Sequence, residues 1–314
     1  MVRLKVGACL AAEDASPEDE EDDWSTCATF RCLRWPSDRL ANVTPGMRAA
    51  IEVATQLGLH VDDAVVIQET NHTVVWLRPY PIIAKVGTRS GSAVALNHEY
   101  EVASALTAVG APVAPPVPDM RPIRDLDTGF LVTFWTRLDN DASAVVGEVD
   151  VGLSLRSVHE AMARITVELP NFRVGLERTR VALFDDARMT ALSTEDRVFL
   201  RSAFSDLMRS LDGFTFPEQG LHGEPHEGNC LSTRAGLRWI DFEDACRGPL
   251  EWDLAFLAEE ARAVFENVDL PLLELLMTLN SARVATWCWV QARFPEMRRH
   301  GESHLSLVRS RWRQ

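Results

Sequence analysis

Short apolar runs separated by polar turns mark the first half of the chain and predict a β-rich region. Residues 64–67, 73–77 and 82–86 each combine β-branched and other apolar side chains, as strands do. Residues 130–135 form a further continuous apolar run. Helical spacing occurs at 45–57 and at 97–107. The first of these helices has a capping Thr and a first-turn Pro at its start.

Apolar positions three and four residues apart dominate the second half of the chain and predict helices. The clearest periodicity lies at 199–211, and similar patterns follow residues 153 and 254. Residues 270–290 make the longest apolar stretch, but Glu274, Asn280 and Arg283 interrupt it, which favours a buried helix over a membrane span. Strands followed by helices predict an α+β fold.

The same patterns divide the chain into three parts. An acidic N-terminal extension covers 1–44, a strand-rich lobe covers 45–137 and a helical lobe covers 138–314. The net charge of the 314-residue chain is −14, but residues 1–23 hold eight acidic side chains against Arg3 and Lys5. We expect this segment to be solvated and flexible.

Composition limits the classes of binding partner and the cellular compartment that the sequence predicts. No basic cluster in the body of the chain favours nucleic acid. The six cysteines include no C-x-x-C pair, which is typical of reduced thiols in a cytoplasm. The apolar run at 6–12 is short and leads directly into the acidic tract, which makes it a poor signal peptide. We therefore expect a cytoplasmic protein without a membrane anchor.

One segment combines the groups that phosphoryl transfer requires. Glu224 and Asn229 have the spacing of a kinase catalytic loop, H-x-D-x-x-x-x-N, in which a carboxylate accepts the hydroxyl proton and the Asn oxygen binds Mg²⁺. Residues 230–240 contain two apolar runs around a polar, Gly-containing turn, which predicts a hairpin. Such a hairpin would bring Asn229 beside Asp241, and their oxygen atoms suit Mg²⁺.

Three motifs carry a resemblance to a known family. H-G-E-P-H-E-G-N at 222–229, I-D-F-E at 240–243 and W-D-L-A at 252–255 resemble, in order and spacing, the aminoglycoside phosphotransferase family, which shares the protein-kinase fold. The resemblance implies a bilobal fold with a small β-rich N-lobe and a larger helical C-lobe. It also implies ATP or GTP as phosphoryl donor and Mg²⁺ as cofactor. The family's catalytic Asp is here Glu224, longer by one methylene or roughly 1.5 Å, whereas Glu227 matches a variable position and is expected to face solvent.

Lys85 ends the run at 82–86, which resembles the kinase V-A-I-K strand whose lysine holds the α- and β-phosphates. The only other lysine of the chain is Lys5. The resemblance implies a carboxylate partner on the following helix. We choose Glu99 and keep Glu101 as the alternative, although the helix dipole also favours an acid in a first turn. An exposed lysine on an edge strand is the alternative explanation of Lys85.

Two further nucleotide contacts are implied by position alone. The turn at 68–72 lies where kinases cover the phosphates with a Gly-rich loop, yet it has no glycine. Asn71 tolerates the positive φ that such a turn needs. The strand at 130–135 lies at the family's interlobe hinge, so backbone groups near Phe134, Trp135 and Thr136 would bind the adenine edge. A plain hairpin and an ordinary buried strand would give the same patterns.

A zinc site is the competing interpretation of the histidines. His222 and His226 flank Glu224, and H-x-E also begins the zinc deaminase signature, but the later P-C-x-x-C is absent. Pro225 disfavours the helix that a zinc protease motif needs. The resemblance implies instead that His222, His226 and Asp253 support the loop.

Two functions fit these residues. The first is a kinase that transfers the γ-phosphate of ATP or GTP to a hydroxyl of a small molecule, either an antibiotic or a metabolite. The second is a kinase-like regulatory protein that binds nucleotide without phosphotransfer, which the Glu at the base position and the Gly-free turn keep open. Basic residues within 298–313 disfavour a polycationic aminoglycoside and favour another small hydroxylated acceptor.

Overall fold

The computed structural model describes residues 43–89, 91–141 and 146–312. Within these ranges the N-terminal part is a five-stranded antiparallel sheet with helices, and the C-terminal part is mainly helical. The α+β prediction is therefore confirmed. The acidic tract, and with it nearly all of the proposed extension at 1–44, lies outside the described residues.

The N-terminal sheet has the strand order β1-β2-β3-β5-β4, with antiparallel neighbours throughout. Its strands are β1 (Asp63–Glu69), β2 (Thr73–Arg78), β3 (Ile82–Gly87), β4 (Ile123–Arg124) and β5 (Leu131–Thr136). The apolar runs predicted four of these strands to within two residues at each end. The fifth, β4, has only two residues, too few to give a pattern.

Helix α1 (Pro45–Gln56) begins where the sequence predicts. The Thr44 side chain accepts a hydrogen bond from the Met47 N–H at 3.4 Å, and Pro45 takes the first helical position. The buried face of α1 packs on the sheet and shares one apolar core with it. This cap and this face fix the helix against the strand that carries Lys85.

Helix α2 (Ser92–Ala108) begins five residues before its predicted start at 97. No side chain caps its first turn, and Gly91 precedes it with φ 86°, so the usual start signal is missing. The Ala-rich residues 93–96 extend the helix because Ala has the highest helix propensity. The prediction that Glu99 and Glu101 lie in a first turn is thus wrong. Both lie near the middle of the helix, beyond the reach of the N-terminal dipole.

The C-terminal part contains seven helices among the described residues. They are α3 (Glu148–Met162), α4 (Arg173–Phe184), α5 (Thr194–Leu211), α6 (Leu250–Leu254), α7 (Glu259–Arg262), α8 (Leu270–Val290) and α9 (Pro295–Arg311). Helix α8 contributes to a core shared with α4, α5 and α9. Within the ranges given above, no helix is both long enough and apolar enough to span a bilayer.

Two small antiparallel pairs carry the loops of the site. They are β6 (Gln219–Leu221) with β9 (Cys246–Gly248), and β7 (Cys230–Thr233) with β8 (Gly236–Trp239). The second pair is the hairpin that the sequence predicts at 230–240. The loop at 222–229, which carries the predicted catalytic motif and is called the catalytic loop below, lies between β6 and β7. Both of its ends are therefore held by strand pairing.

Trp239 joins the two parts of the molecule. Its N–H donates to the Pro112 carbonyl at 2.9 Å, and its own carbonyl accepts from the Ala114 N–H at 2.9 Å. Its indole is fully buried and donates to the Ser154 hydroxyl at 3.1 Å. The hairpin of the C-terminal part is therefore tied by main-chain hydrogen bonds to the loop that follows α2.

Candidate active site

The open end of the β7–β8 hairpin carries Asn229 on one side and Asp241 on the other. The Ile240 N–H donates to the Asn229 carbonyl at 3.0 Å, which holds the two segments together. The Asn229 amide nitrogen donates to the Glu224 carbonyl at 3.0 Å, which leaves its amide oxygen available. An amide oxygen and a carboxylate are thus held side by side at the end of the catalytic loop.

Lys85 reaches the same place from β3. Its Nζ lies 2.8 Å from Glu99 Oε2 and 2.7 Å from Asp241 Oδ1. Lys85 and Glu99 are only 9% and 3% exposed, which rules out an exposed edge-strand lysine. Glu101 is exposed to solvent. The structure therefore brings together Lys85, Glu99 and Asp241 and leaves Glu101 outside the cluster.

This cluster holds more negative than positive charge. Burial alone would lower the pKa of the Lys85 ammonium, but Asp241 and Glu99 outweigh it and raise that pKa above its usual value. Burial raises the pKa of the Glu99 carboxyl to about 7, although Lys85 opposes the shift. Burial also acts on Asp241, yet Lys85 holds the pKa of that carboxyl below its ordinary value. With Glu243 nearby, one ammonium faces three carboxylates.

The donor set fits a magnesium ion. The Asn229 amide oxygen and the Asp241 oxygen that Lys85 does not bind are hard ligands, and the excess negative charge suits a divalent cation. Mg²⁺ commonly takes one or two protein carboxylates and completes its shell with water and phosphate oxygens. Among residues 43–89, 91–141 and 146–312, no three His, Cys, Asp or Glu side chains are grouped to hold a metal by themselves.

We expect the stability contributed by Glu99 to fall with rising pH. Its folded pKa of about 7 lies above the ordinary 4.5, so its contribution is complete below about pH 4.5 and is lost as the pH passes about 7. Urea unfolding, without metal or nucleotide, would compare the wild-type protein with Glu99→Gln. Their difference in unfolding free energy should shrink by at most about 3 kcal/mol across this range.

The matched control for this measurement is Glu101→Gln, the loss of an exposed carboxylate two residues along the same helix. Subtracting its profile removes the general effect of one fewer acid. A difference for Glu99→Gln that stays constant from pH 4.5 to 7 would contradict the assigned direction.

Asp253 holds the start of the catalytic loop. It is fully buried, and its two oxygens accept hydrogen bonds from the N–H groups of His222 and Gly223, both at 2.9 Å. His159 Nε2 lies 2.7 Å from the same carboxylate. Burial lowers the pKa of the His222 imidazole, so the neutral ring donates through Nε2 to the Ile240 carbonyl at 3.0 Å. His222 thus links the loop to the segment that carries Asp241.

Gly223 and His226 shape the rest of the loop. Gly223 has φ 92°, and a side chain there would bring Cβ to 1.9 Å from the Asp244 carbonyl oxygen, so only glycine fits. His226 is exposed, and its Nδ1 accepts from the Gly228 N–H at 3.0 Å. Glu227 is also exposed. All three residues expected to support the loop, His222, His226 and Asp253, make hydrogen bonds within or next to it.

The Glu224 carboxylate contacts a residue to which the sequence assigns no role. Arg283, near the middle of α8, places Nη1 3.1 Å from Glu224 Oε1 and Nη2 3.0 Å from Asp244 Oδ2. Arg283 is 7% exposed. A charge inside a long apolar run is the signal that points to it, because buried charges are nearly always paired. The partner lies 59 positions away, which the pattern does not reveal.

The turn between β1 and β2 contacts the site through His72, to which the sequence assigns no role, and the assignment of Asn71 to the phosphates stays a prediction. Asn71 is exposed, lacks the positive φ expected of it, and accepts a hydrogen bond from Arg89 at 2.6 Å. The neighbouring His72 is 8% exposed, and its Nε2 lies 2.6 Å from Glu243 Oε2. Because Glu243 follows Asp241 by two residues, this contact joins the turn to the segment that carries Asp241.

The predicted hinge strand is β5, but its backbone groups are engaged. The Phe134 carbonyl accepts from the Val117 N–H at 2.9 Å, and the Thr136 N–H donates to the Pro115 carbonyl at 3.0 Å. The side chains of Phe134 and Trp135 are buried, at 0% and 9% exposure. The loop after α2 therefore lies along the backbone of Phe134 and Thr136, and the assignment of Phe134 and Trp135 to the adenine edge stays a prediction.

A model described as the phosphotransferase enzyme family matches residues 63–295 of this chain. No curated protein matches this chain. The fold is similar to that of solved kinases. One is the GDP and kanamycin complex of APH(2")-IIia, whose protein is 14% identical to this chain. The TM-score is 0.62, and the match covers 84% of this chain and 98% of that one.

Two other structures give similar values. Amicoumacin kinase hAmiN, in complex with AMP-PNP, Ca²⁺ and Ami, is 16% identical, with a TM-score of 0.63 over 82% of this chain and 93% of that one. Choline kinase LicA from Streptococcus pneumoniae is 13% identical, with a TM-score of 0.62 over 84% of this chain and 98% of that one. At these identities the likeness is one of fold, and it confirms the kinase-like architecture that the motifs predict.

Proposed function

Since the chain belongs to the phosphotransferase enzyme family, whose model spans residues 63–295, we propose that it transfers the γ-phosphoryl group of ATP or GTP to a hydroxyl of a small molecule. One observation carries the proposal. Lys85 of the N-terminal sheet lies 2.7 Å from Asp241, which flanks Asn229 at the hairpin. A cation for the phosphates and two oxygen ligands for Mg²⁺ therefore meet between the two parts of the molecule.

The residues of this cluster divide the work of phosphate binding. Asn229 and Asp241 would hold Mg²⁺, which neutralises charge on the phosphate oxygens when it is bound. Lys85 would donate to the α- and β-phosphates, as a compact ammonium with three donors can. Glu99 is 2.8 Å from Lys85 and keeps the side chain directed at the site. Excess carboxylate charge around Lys85 is then balanced by the ion.

Glu224 would act as the general base. As the acceptor oxygen forms its bond to the γ-phosphorus, the bond from phosphorus to the bridging oxygen breaks, and the hydroxyl proton passes to Glu224. Arg283 contacts Oε1 of this carboxylate, so the proton would go to Oε2. The loop backbone is fixed by Asn229 and His222, which bind the Glu224 carbonyl and N–H at 3.0 and 3.4 Å.

We infer further that the acceptor is not a polycation. The acid beside Glu224 is already paired, because Asp244 lies 3.0 Å from Arg283 and 3.9 Å from Arg178 of α4. A polycationic acceptor would favour unpaired carboxylates around the reacting hydroxyl. An uncharged hydroxylated compound suits this balanced charge better.

Two of the basic C-terminal residues, which led the sequence to the same inference, have partners away from Glu224. Arg309 of α9 pairs with Asp196 of α5, and Arg298 donates to the Ala292 carbonyl at 2.6 Å. Neither guanidinium contacts Glu224. The charge argument about the acceptor therefore depends on Arg283 and Arg178.

The test is a search for phosphorylated products. The protein would be incubated with Mg²⁺, ATP or GTP, and a panel of aminoglycosides, macrolides, nucleosides and amino alcohols, and each compound examined for a mass gain of one phosphoryl group. We expect a gain on one class and none without Mg²⁺. Nucleotide-dependent thermal stabilisation without transfer to any compound would support the regulatory protein instead.

A further inference from the structure

We propose that Arg283 is a positioning residue for phosphoryl transfer, which acts by holding the carboxylate of Glu224. The proposal rests on the function proposed above and adds a residue to it. Arg283 does not belong to any of the three motifs and lies on α8, which begins well beyond the last of them.

The contacts of Arg283 are specific in geometry. Two different nitrogens of one guanidinium bind two different carboxylates, Glu224 at 3.1 Å and Asp244 at 3.0 Å. The planar fork of an arginine fixes the angle between two such partners, which an ammonium does not. Asp244 belongs to the short turn after Asp241, so Arg283 ties together the loop of the base and the loop of the metal ligand.

Arg283 is more buried than either of its carboxylate partners. The Arg283 side chain is 9% exposed, against 30% for Glu224 and 28% for Asp244. Burial alone would lower the pKa of the guanidinium, but Glu224 and Asp244 outweigh it and raise that pKa. Burial raises the pKa of the Asp244 carboxyl, and the nearby Glu224 carboxylate adds to the rise while Arg283 opposes it. The guanidinium is thus the group that allows both carboxylates to stand close together.

The length of Glu224 explains why such a residue is needed. Compared with Asp, Glu has an additional rotatable bond, so its carboxylate samples more positions unless another group holds it. A misplacement of about 1 Å at a reacting group can lower the rate about 10²-fold. By binding Oε1, Arg283 restricts the additional bond and leaves Oε2 for the acceptor hydroxyl.

The experiment compares Arg283→Gln and Arg283→Lys in the wild-type protein and in Glu224→Gln. The readouts are kcat and the nucleotide KM with Mg²⁺–ATP or Mg²⁺–GTP and the panel compound that the wild type phosphorylates, together with Tm. In the wild type we expect Arg283→Gln to lower kcat by about 10²-fold with the nucleotide KM nearly unchanged. Arg283→Lys should lower kcat less than Arg283→Gln does, because lysine keeps the positive charge but lacks the planar guanidinium.

In the Glu224→Gln background, adding Arg283→Gln should lower kcat only slightly further. Residues that act as one unit give strongly non-additive losses, because the second change removes nothing that the first has left. Equal losses of kcat in both backgrounds would overturn the positioning role and leave Arg283 as a structural brace.

Arg262→Gln is the matched control. Its guanidinium donates to the carbonyls of Leu254 and Leu257 and makes no contact with Glu224, so this variant should lower Tm without the loss of kcat. If Arg283→Gln does not fold, Arg283→Lys in the two backgrounds gives the same comparison. A wild type that transfers no phosphoryl group overturns the proposed function itself, whereas transfer without coupling between the two residues overturns only the role of Arg283.

Discussion

Glu224→Gln is expected to lower kcat for phosphoryl transfer by about 10²–10⁴-fold, the contribution of a positioned general base. Gln keeps the length of the side chain, and its amide oxygen can still accept the hydrogen bond from Arg283, but it cannot take the acceptor proton. The loop is held through its backbone, because the His222 N–H donates to the Asp253 carboxylate and the Asn229 side-chain amide donates to the Glu224 carbonyl, so it should keep its form. The measurement is kcat at saturating nucleotide and acceptor.

Glu227→Gln provides the control for this result. It makes the same chemical change three positions along the same loop, at an exposed side chain, and should leave kcat unchanged. A Glu224→Gln protein with wild-type kcat, and an equal Tm, would remove Glu224 from the role of base.

Asp241→Asn is the second change with a large expected effect, a loss of about 10²–10³-fold in kcat, which is typical of one lost electrostatic contact to a developing charge. The substitution neutralises the proposed metal ligand and removes the charge of one of the two carboxylates that bind Lys85. Asp241 has φ 67°, and Asn adopts this left-handed conformation as readily as Asp. The loss should therefore reflect charge rather than backbone strain. A titration of kcat with Mg²⁺ would show a higher requirement for the ion.

Asp119→Asn is a closely matched control. Asp119 has φ 61° and is exposed, in the loop between α2 and β4, so the variant repeats the same change in the same backbone conformation. Its Mg²⁺ requirement should equal that of the wild type. If Asp241→Asn left the Mg²⁺ dependence and kcat unaltered, Asp241 would not be a ligand of the ion.

Features encoded by neighbouring residues were predictable from the sequence. The β7–β8 hairpin has its turn and both of its strands within eleven residues, and the strand of Lys85 is a local apolar run. Thr44 and Pro45 mark the start of α1 because capping is also local. Family membership as a phosphotransferase, which rested on three such local motifs, is confirmed by the match over residues 63–295.

Contacts between distant segments were not predictable. His72 and Glu243 are 171 positions apart, and Arg283 and Glu224 are 59 apart. Neither pair leaves a periodic trace in the chain. The contacts of the predicted hinge strand were not predictable for the same reason, because Val117 and its loop pair with Phe134 from a separate segment. The early start of α2 was missed because its first turn has no capping side chain.

The main-chain pairing of Trp239 with Pro112 and Ala114 has a consequence for how the molecule can open. Two backbone hydrogen bonds hold the main chain there, whereas His72 with Glu243 and Lys85 with Asp241 join the two parts through side chains. Any rotation of the sheet away from the helices should therefore turn about Trp239 and widen at His72. Such opening requires the side-chain pairs His72–Glu243 and Lys85–Asp241 to break together, while the backbone hydrogen bonds of Trp239 stay intact.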